Sequence, residues 1–138
     1  MQVVIFSYQN KFYAVPSDYV EEITVNVDWT EVPKTTEWLV GLINLRGNII
    51  SLLDFGKLLN TAEDMQESEE LCYNNTIIIT TDKNKVALAV DKVQEVVDID
   101  ESAIQLNDFQ DNIIIGVYTR NESVINVIDL EALMSENI

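Results

Sequence analysis

The sequence contains no histidine, and its 138 residues include a single cysteine, Cys72. Without histidine the chain cannot assemble a Ser-His-Asp triad, a Cys-His pair or the usual zinc and non-haem iron sites. One cysteine cannot form an internal disulfide, which agrees with a reducing compartment. These two absences exclude most hydrolase mechanisms and a fold held together by disulfides.

Glycine and basic residues are also scarce. The four glycines form neither a G-x-x-x-x-G-K-[ST] phosphate loop nor a G-x-G-x-x-G dinucleotide turn. Eight Lys and Arg against 24 Asp and Glu give a net charge of −16, which repels nucleic acid and anionic membrane surfaces. We therefore expect no nucleotide cofactor, no nucleic-acid partner and no direct insertion into a membrane.

Long apolar runs are missing as well. None approaches the roughly 18 residues that a spanning helix needs, and no basic region precedes the apolar segment near Met1, as a signal peptide requires. The segment from Asp98 begins like a calcium loop, but Ala103 stands where the loop needs Gly and Phe109 where it needs Glu. The sequence thus predicts a cytoplasmic protein without a bound metal or other cofactor.

What the sequence does contain is a series of short stretches rich in β-branched residues, with the length of strands rather than helices. The segment from Ile23 to Trp29 alternates apolar with polar residues, which predicts a half-buried strand whose apolar side chains turn inward. Gly47-Asn48 predicts a two-residue hairpin turn, because such turns need positive φ. About ten short strands are indicated in all, and they predict an all-β fold.

The sequence also resembles itself. Residues 3–23 align with residues 76–96 without a gap, which places Glu22 on Glu95, and residues 41–59 align with residues 116–134, which places Gly41 on Gly116. Two repeats of this size predict two small barrels of five strands, each ending in a short helical stub. The predicted subdomains are 1–62 and 73–138, joined by an acidic linker at 60–72. Strand exchange between the barrels stays open, as does a docking role for the linker.

One hairpin carries a specific motif, in which Gly41 precedes Asn44-Leu45-Arg46-Gly47 and an apolar strand that ends at Asp54. This hairpin resembles the signature of CheW-like domains. Further stretches are similar to the same family, so that the resemblance covers nearly the whole chain: Tyr13-Ala14-Val15-Pro16, Val20-Glu21-Glu22-Ile23, 89–96 and 125–133.

The resemblance implies a single CheW-like domain over 1–138, built from two five-stranded SH3-like β-barrels packed together. It also implies a free-standing, non-catalytic adaptor. Such an adaptor couples transmembrane chemoreceptors to the histidine kinase CheA by binding the cytoplasmic tip of the receptor and the regulatory domain of the kinase.

Seven residues are candidates for partner binding. Arg46 stands next to the predicted turn, where its guanidinium can contact a partner or form an ion pair with a nearby carboxylate of this chain. Glu22 lies in the turn that the family uses for its contacts, although a solvated glutamate is the alternative. The remaining candidates come from the same two segments: Val20, Ile23, Gly41, Asn44 and Gly47.

These remaining candidates have structural alternatives. Val20 and Ile23 are either core residues or, by analogy with the family, part of the groove that receives the receptor hairpin. Gly41 and Gly47 are expected to serve the backbone of the hairpin and to affect binding through its geometry.

Two other functions stay open. A CheW-like adaptor of another array-based pathway, such as pili or gliding motility, would have the same fold and different partners. A small carboxylate-dependent hydrolase would use two of the 24 acidic residues as general acid and base.

Overall fold

The computed structural model describes residues 1–25, 27–33, 36–59, 74–82, 84–106 and 113–137. The predicted linker, 60–72, lies outside these residues. Strands dominate the described chain and helices are short, which confirms the predicted all-β fold. The strands are β1 (Gln2–Tyr8), β2 (Lys11–Pro16), β3 (Val20–Val25), β4 (Leu39–Leu45), β5 (Asn48–Asp54), β6 (Asn75–Thr80), β7 (Lys85–Val90), β8 (Lys92–Asp98), β9 (Gln105–Leu106), β10 (Ile114–Arg120) and β11 (Ser123–Ile128). The helices are α1 (Phe55–Leu58) and α2 (Leu130–Asn137), with 3-10 turns at Ser17–Tyr19 and Glu101–Ala103.

The strands form two sheets of corresponding topology. One has five strands in the order β3-β6-β7-β5-β4, and the other has six in the order β8-β1-β2-β11-β10-β9. Each contains a parallel pair, β5 with β7 and β2 with β11. Thr30 bridges Leu42 of β4 through two backbone hydrogen bonds of 2.9 Å, in the place that β9 occupies beside β10. The six-stranded sheet therefore departs from the predicted five strands through the two-residue β9.

The chain divides into two compact units, Val20–Lys92 and Met1–Tyr19 with Val93–Ile138. The predicted repeat limits, 1–62 and 73–138, describe the sequence pattern, and the compact units cut across them. Each sheet combines strands from both repeats, because β1 and β2 pair into the sheet of β8 to β11 while β6 and β7 pair into that of β3 to β5. Sequence similarity cannot decide this arrangement, since equivalent hairpins fit either sheet.

Each unit has an apolar core of side chains from several of its strands. The unit Val20–Lys92 buries Ile43, Ile50, Leu52, Ile78, Ala87 and Ala89 in one cluster. The other unit buries Val3, Ile5, Ala14, Ile99 and Ile125. Removal of these side chains from water is the main favourable contribution to folding. Within the described residues no helix is long and apolar enough to cross a membrane.

In each unit one hairpin, β4–β5 or β10–β11, ends in or is followed directly by an aspartate that begins a helix. The Asp54 carboxylate accepts a hydrogen bond from the Lys57 N–H at 3.0 Å at the start of α1. The Asp129 carboxylate accepts one from the Ala132 N–H at 3.2 Å at the start of α2. Both aspartates thus satisfy an N–H group that has no partner within the helix.

The predicted position of the hairpin turn between β4 and β5 is wrong by one residue. Arg46 and Gly47 are the central residues, with φ of +50° and +87°, and Asn48 already belongs to β5. Left-handed φ at both central residues is the pattern of a type I′ turn, whose twist matches that of the two strands. The register confirms it, because Leu45 pairs with Asn48 across the turn.

The predicted inward face of the segment from Ile23 to Trp29 is also wrong. Ile23, Val25 and Trp29 are 37%, 66% and 43% exposed, and β3 ends at Val25. β3 is an edge strand, and its register with β6 shifts between Val20 and Glu22. A bulge of this kind changes which alternate side chains face the core. Of this apolar set, Val27 packs against the core cluster.

Candidate partner-binding site

All seven predicted binding residues lie in the unit Val20–Lys92. They divide between two elements. β3 carries Val20, Glu22 and Ile23, and the β4–β5 hairpin carries Gly41, Asn44, Arg46 and Gly47. We call residues 44–49 the hairpin tip.

An ion pair joins the hairpin tip to β3. The Arg46 Nη2 donates to Glu22 Oε1 at 2.5 Å, between residues 24 positions apart. The Arg46 side chain is 65% exposed and that of Glu22 is 29% exposed. This one hydrogen bond lowers the pKa of Glu22, which accepts it, and raises the pKa of Arg46, which donates it. Of the two roles predicted for Arg46, the ion pair with a carboxylate of this chain is therefore observed. The arginine side chain nevertheless remains exposed to solvent.

A second ion pair joins Glu21 of β3 to Lys85, the first residue of β7. The Lys85 Nζ is 2.7 Å from Glu21 Oε2, with both side chains partly exposed. Lys85 contributes to the lowered pKa of Glu22, and Glu21 contributes to the raised pKa of Arg46. The charges of two acidic and two basic side chains therefore sum to zero on this surface. No local sequence pattern links Lys85 to a residue more than 60 positions earlier, so its place at this surface could not be predicted.

Asn44 and Gly47 shape the hairpin tip. The Asn44 Oδ1 accepts a hydrogen bond from the Gly47 N–H at 2.8 Å. Asn44 is paired with Ile49 across the hairpin, and both side chains are exposed, Ile49 by 63%. Ile49 was missed because it stands beside Ile50 at the start of a mostly apolar strand, which favours burial of both. The period of two does place it outward, since the next residue, Ile50, is 7% exposed.

Gly41 stands apart from the hairpin tip and serves the backbone. A Cβ at this position would overlap the carbonyl oxygen of Thr30 and approach Trp29 Cδ1 to 2.9 Å. At the corresponding place in the other unit, a Cβ on Gly116 would overlap the carbonyl oxygen of Gln105. Each glycine therefore lets a neighbouring chain segment come close enough to pair.

Val20 and Ile23 are neither buried core residues nor fully exposed. Val20 pairs with Ile79 and is half-buried, and Ile23 pairs with Ile77 and is 37% exposed. Their part in receiving a receptor hairpin stays a prediction.

The other unit repeats the ion pair in a different arrangement. The Arg120 Nε donates to Glu95 Oε1 at 2.9 Å. Arg120 is the last residue of β10, one position before the turn at Asn121 and Glu122, whereas Arg46 lies within its turn. The exposure is reversed, because Arg120 is 33% and Glu95 45% exposed. Within the described residues, no cluster of His, Cys, Asp and Glu could hold a metal ion.

The fold and this geometry define an internally repeated all-β protein whose candidate site is an open surface of charged and apolar side chains. The family model for the CheW-like domain matches residues 2–137, and the chain belongs to this family.

Known relatives agree with this assignment. The chain is 30% identical over 110 residues to the chemotaxis protein CheW of Thermotoga maritima, covering 80% of this chain and 70% of that protein. It is 26% identical to the chemotaxis protein CheW of Bacillus subtilis, covering 98% of this chain and 87% of that protein. The crystal structure of the scaffolding protein TtCheW from Thermoanaerobacter tengcongensis is similar, with a TM-score of 0.80 and 29% identity, covering 96% of this chain and 90% of that one.

Proposed function

We propose that this chain is a non-catalytic cytoplasmic adaptor of chemotaxis, which couples chemoreceptors to the histidine kinase CheA. In this role it binds the cytoplasmic tip of the receptor and the regulatory domain of the kinase. Membership of the CheW-like family supports the proposal, as do the names of the relatives. The observation that carries it is the exposed Arg46, held by Glu22 at the tip of the hairpin that bears the family signature.

An adaptor of this kind needs no reaction centre. It transmits the state of the receptor if it binds the partners with different affinities in their different signalling states. The surface around Arg46 supplies what such binding requires, namely charged groups for orientation and exposed apolar side chains, including Ile23 and Ile49, for contact area.

A calorimetric titration of the full chain into the regulatory domain of CheA from the same organism tests the proposal. We expect a saturable one-to-one isotherm. The affinity of the complex should fall as the ionic strength rises, because charged side chains contribute to binding. Arg46→Ala should weaken binding by about tenfold.

Arg120→Ala is the matched control, since it breaks the equivalent ion pair in the other unit. We expect it to bind like the wild type. Absence of heat and of co-elution with the wild type would contradict the proposal, and binding to the kinase of another array-based pathway would assign the chain to that pathway instead.

A further inference from the structure

We propose that the chain consists of two complementary halves, residues 1–59 and 74–138, which bind each other without needing the covalent connection between them. We call them the N-terminal half and the C-terminal half. Each half is then the specific binding partner of the other, and a chain that is cut within residues 60–72 stays assembled. The inference concerns the assembly of the chain and does not depend on the proposed function.

Each half inserts one hairpin between strands of the other half. In the five-stranded sheet, the β6–β7 hairpin of the C-terminal half lies between β3 and β5 of the N-terminal half. In the six-stranded sheet, the β1–β2 hairpin of the N-terminal half lies between β8 and β11 of the C-terminal half. A cut within 60–72 therefore interrupts none of the described strands and none of the hairpins that they form.

The pairings that build the two sheets from these hairpins all cross from one half to the other. β3 is antiparallel to β6, β5 is parallel to β7, and β2 is parallel to β11. An isolated hairpin is at best marginally stable in water, and additional strands with an apolar face are needed for independent stability. We therefore expect neither half to fold by itself.

Both apolar cores are also shared between the halves. The core of the unit Val20–Lys92 takes three side chains from the N-terminal half and three from the C-terminal half, namely Ile43, Ile50 and Leu52 with Ile78, Ala87 and Ala89. The core of the other unit combines Val3, Ile5 and Ala14 with Ile99 and Ile125. Separation of the halves would expose both cores to water, so the hydrophobic effect favours their association.

The ion pair between Glu21 and Lys85 favours the pairing of unlike halves. It crosses from the N-terminal to the C-terminal half, with 2.7 Å between Glu21 Oε2 and Lys85 Nζ. In the self-alignment of the sequence, Phe12 corresponds to Lys85 and Gln94 corresponds to Glu21. Two N-terminal halves would therefore place Glu21 beside Phe12, and two C-terminal halves would place Gln94 beside Lys85. Neither combination forms an ion pair.

A hydrogen bond from Tyr19 adds to this specificity. The Tyr19 hydroxyl of the N-terminal half donates to Glu131 Oε1 of the C-terminal half at 2.6 Å. Glu131 corresponds to Gly56 in the self-alignment, so a second N-terminal half offers no acceptor side chain there. Tyr19 corresponds to Lys92, which could reach Glu131 in a pair of C-terminal halves. A homodimer of the C-terminal half is therefore the competing assembly.

Cleavage of the folded full chain tests the proposal. The recognition sequence of a site-specific protease replaces part of 60–72, and the chain is cut, unfolded in urea and returned to buffer. We expect the two fragments to elute together from a size-exclusion column at the volume of the uncut chain. Native mass spectrometry should show complexes that contain one copy of each fragment.

The concentration dependence of unfolding shows whether the two fragments are held by a reversible equilibrium. Unfolding of the cut chain releases two molecules, so its urea midpoint should rise by roughly 0.5–1 M for each tenfold increase in protein concentration. The uncut chain with the same protease sequence is the matched control. Its midpoint should not change with concentration.

Charge reversal tests the specificity of the pairing. In the cut chain, Glu21→Lys and Lys85→Glu each place like charges opposite one another across the two halves. Each should weaken the association of the fragments by about threefold, because the ion pair is partly exposed. The double variant restores opposite charges and should recover most of the lost affinity.

Fragments that separate on the column, or that do not reassemble after the urea is removed, would overturn the proposal. Cooperative unfolding of one separated fragment would overturn it too, because that half would then fold alone. Homodimers of the C-terminal half in place of the mixed complex would show that the halves do not select each other.

Discussion

Arg46 and Glu22 form an ion pair across 24 positions of the sequence, and the link joins the tip of one hairpin to an edge strand. Arg120 and Glu95 form the same link across 25 positions in the other unit. In both cases the acid lies on the strand at one end of the sheet and the base lies at the tip of a hairpin. The pair therefore belongs to the repeated architecture, and the difference between the two copies concerns how far each arginine is exposed.

Glu22→Gln should alter how stability depends on pH. The hydrogen bond from Arg46 lowers the pKa of Glu22 below its usual value of 4.5. The folded state therefore binds this proton less readily than the unfolded state does. The resulting stabilisation is fully present above that usual value and is lost as the pH falls through the folded pKa.

Urea unfolding of the wild type and Glu22→Gln between pH 7 and pH 3 measures this effect. We expect the difference in unfolding free energy to be largest near neutral pH and to shrink in acid. In the background of Arg46→Ala the difference should be small at every pH, because the cause of the shift is gone. A difference of the same size at pH 7 and pH 3 would contradict the prediction.

Arg46→Asn should separate stability from binding. Arginine in a left-handed turn position is unfavourable, whereas asparagine tolerates this conformation and occurs at the same place as Asn121. In high salt, where the exposed ion pair is screened, we expect the midpoint of thermal unfolding to rise by about 2–4 °C. Binding to the kinase regulatory domain should fall at the same time.

The control for Arg46→Asn is Asn121→Arg, which places an arginine in the equivalent turn and should lower the midpoint of thermal unfolding. If Arg46→Asn lowers the midpoint in high salt, the turn position carries no backbone cost and the prediction is wrong.

Self-alignment of the sequence found several structural tasks that the two units share. It placed Gly41 on Gly116, and in the structure a backbone carbonyl oxygen lies close to each glycine, where a Cβ would not fit. It placed Asp54 on Asp129, and each aspartate begins a helix. These matches succeeded because a close approach requires glycine and a helix start favours a small set of residue types that includes aspartate.

Other features depend on long-range geometry and could not be predicted. The outward face of β3 follows from a register shift against β6, a strand more than 50 residues later. The pairing of Glu22 with Arg46 depends on how the sheet brings its edge strand to the hairpin tip, and sequence alone left two roles open for each. The exchange of hairpins between the sheets is equally invisible, because the competing arrangements use the same strands.

Gly41→Ala should destabilise the unit Val20–Lys92. The new Cβ would overlap the Thr30 carbonyl oxygen, a backbone atom that is held by its hydrogen bond from the Leu42 N–H at 2.9 Å. We expect a loss of about 1–3 kcal/mol in the free energy of unfolding, measured by urea denaturation. Gly116→Ala should cost a similar amount, because its Cβ would meet the Gln105 carbonyl oxygen.

Gly47→Ala provides the contrast for these two variants. Its Cβ has open space, and the expected cost comes from its φ of +87°, about 1–2 kcal/mol. Replacement of Gly47 by Asn should recover part of this loss but replacement of Gly41 by Asn should not. A tolerated Gly41→Ala would contradict the steric explanation.

Asp54→Ala and Asp129→Ala should differ, although the two aspartates do the same work. Each backbone N–H donates across the unit, that of Asp54 to Trp38 O at 2.8 Å and that of Asp129 to Ile113 O at 2.7 Å, and each carboxylate accepts from the first turn of a helix. Asp54 is fully buried and Asp129 is half-buried. When alanine replaces Asp129, water can therefore take over as the acceptor for the Ala132 N–H. When alanine replaces Asp54, the Lys57 N–H is left without an acceptor.

We expect Asp54→Ala to cost about 1–2 kcal/mol and Asp129→Ala about 0.5–1 kcal/mol of unfolding free energy in urea denaturation. Asp54→Asn keeps an acceptor oxygen for the Lys57 N–H and should cost less than Asp54→Ala. If the alanine variants at both positions lose the same amount, burial of Asp54 adds nothing to its role in beginning α1. If Asp54→Asn lowers the unfolding free energy as much as Asp54→Ala does, the hydrogen bond that Asp54 accepts is not the source of its stabilising effect.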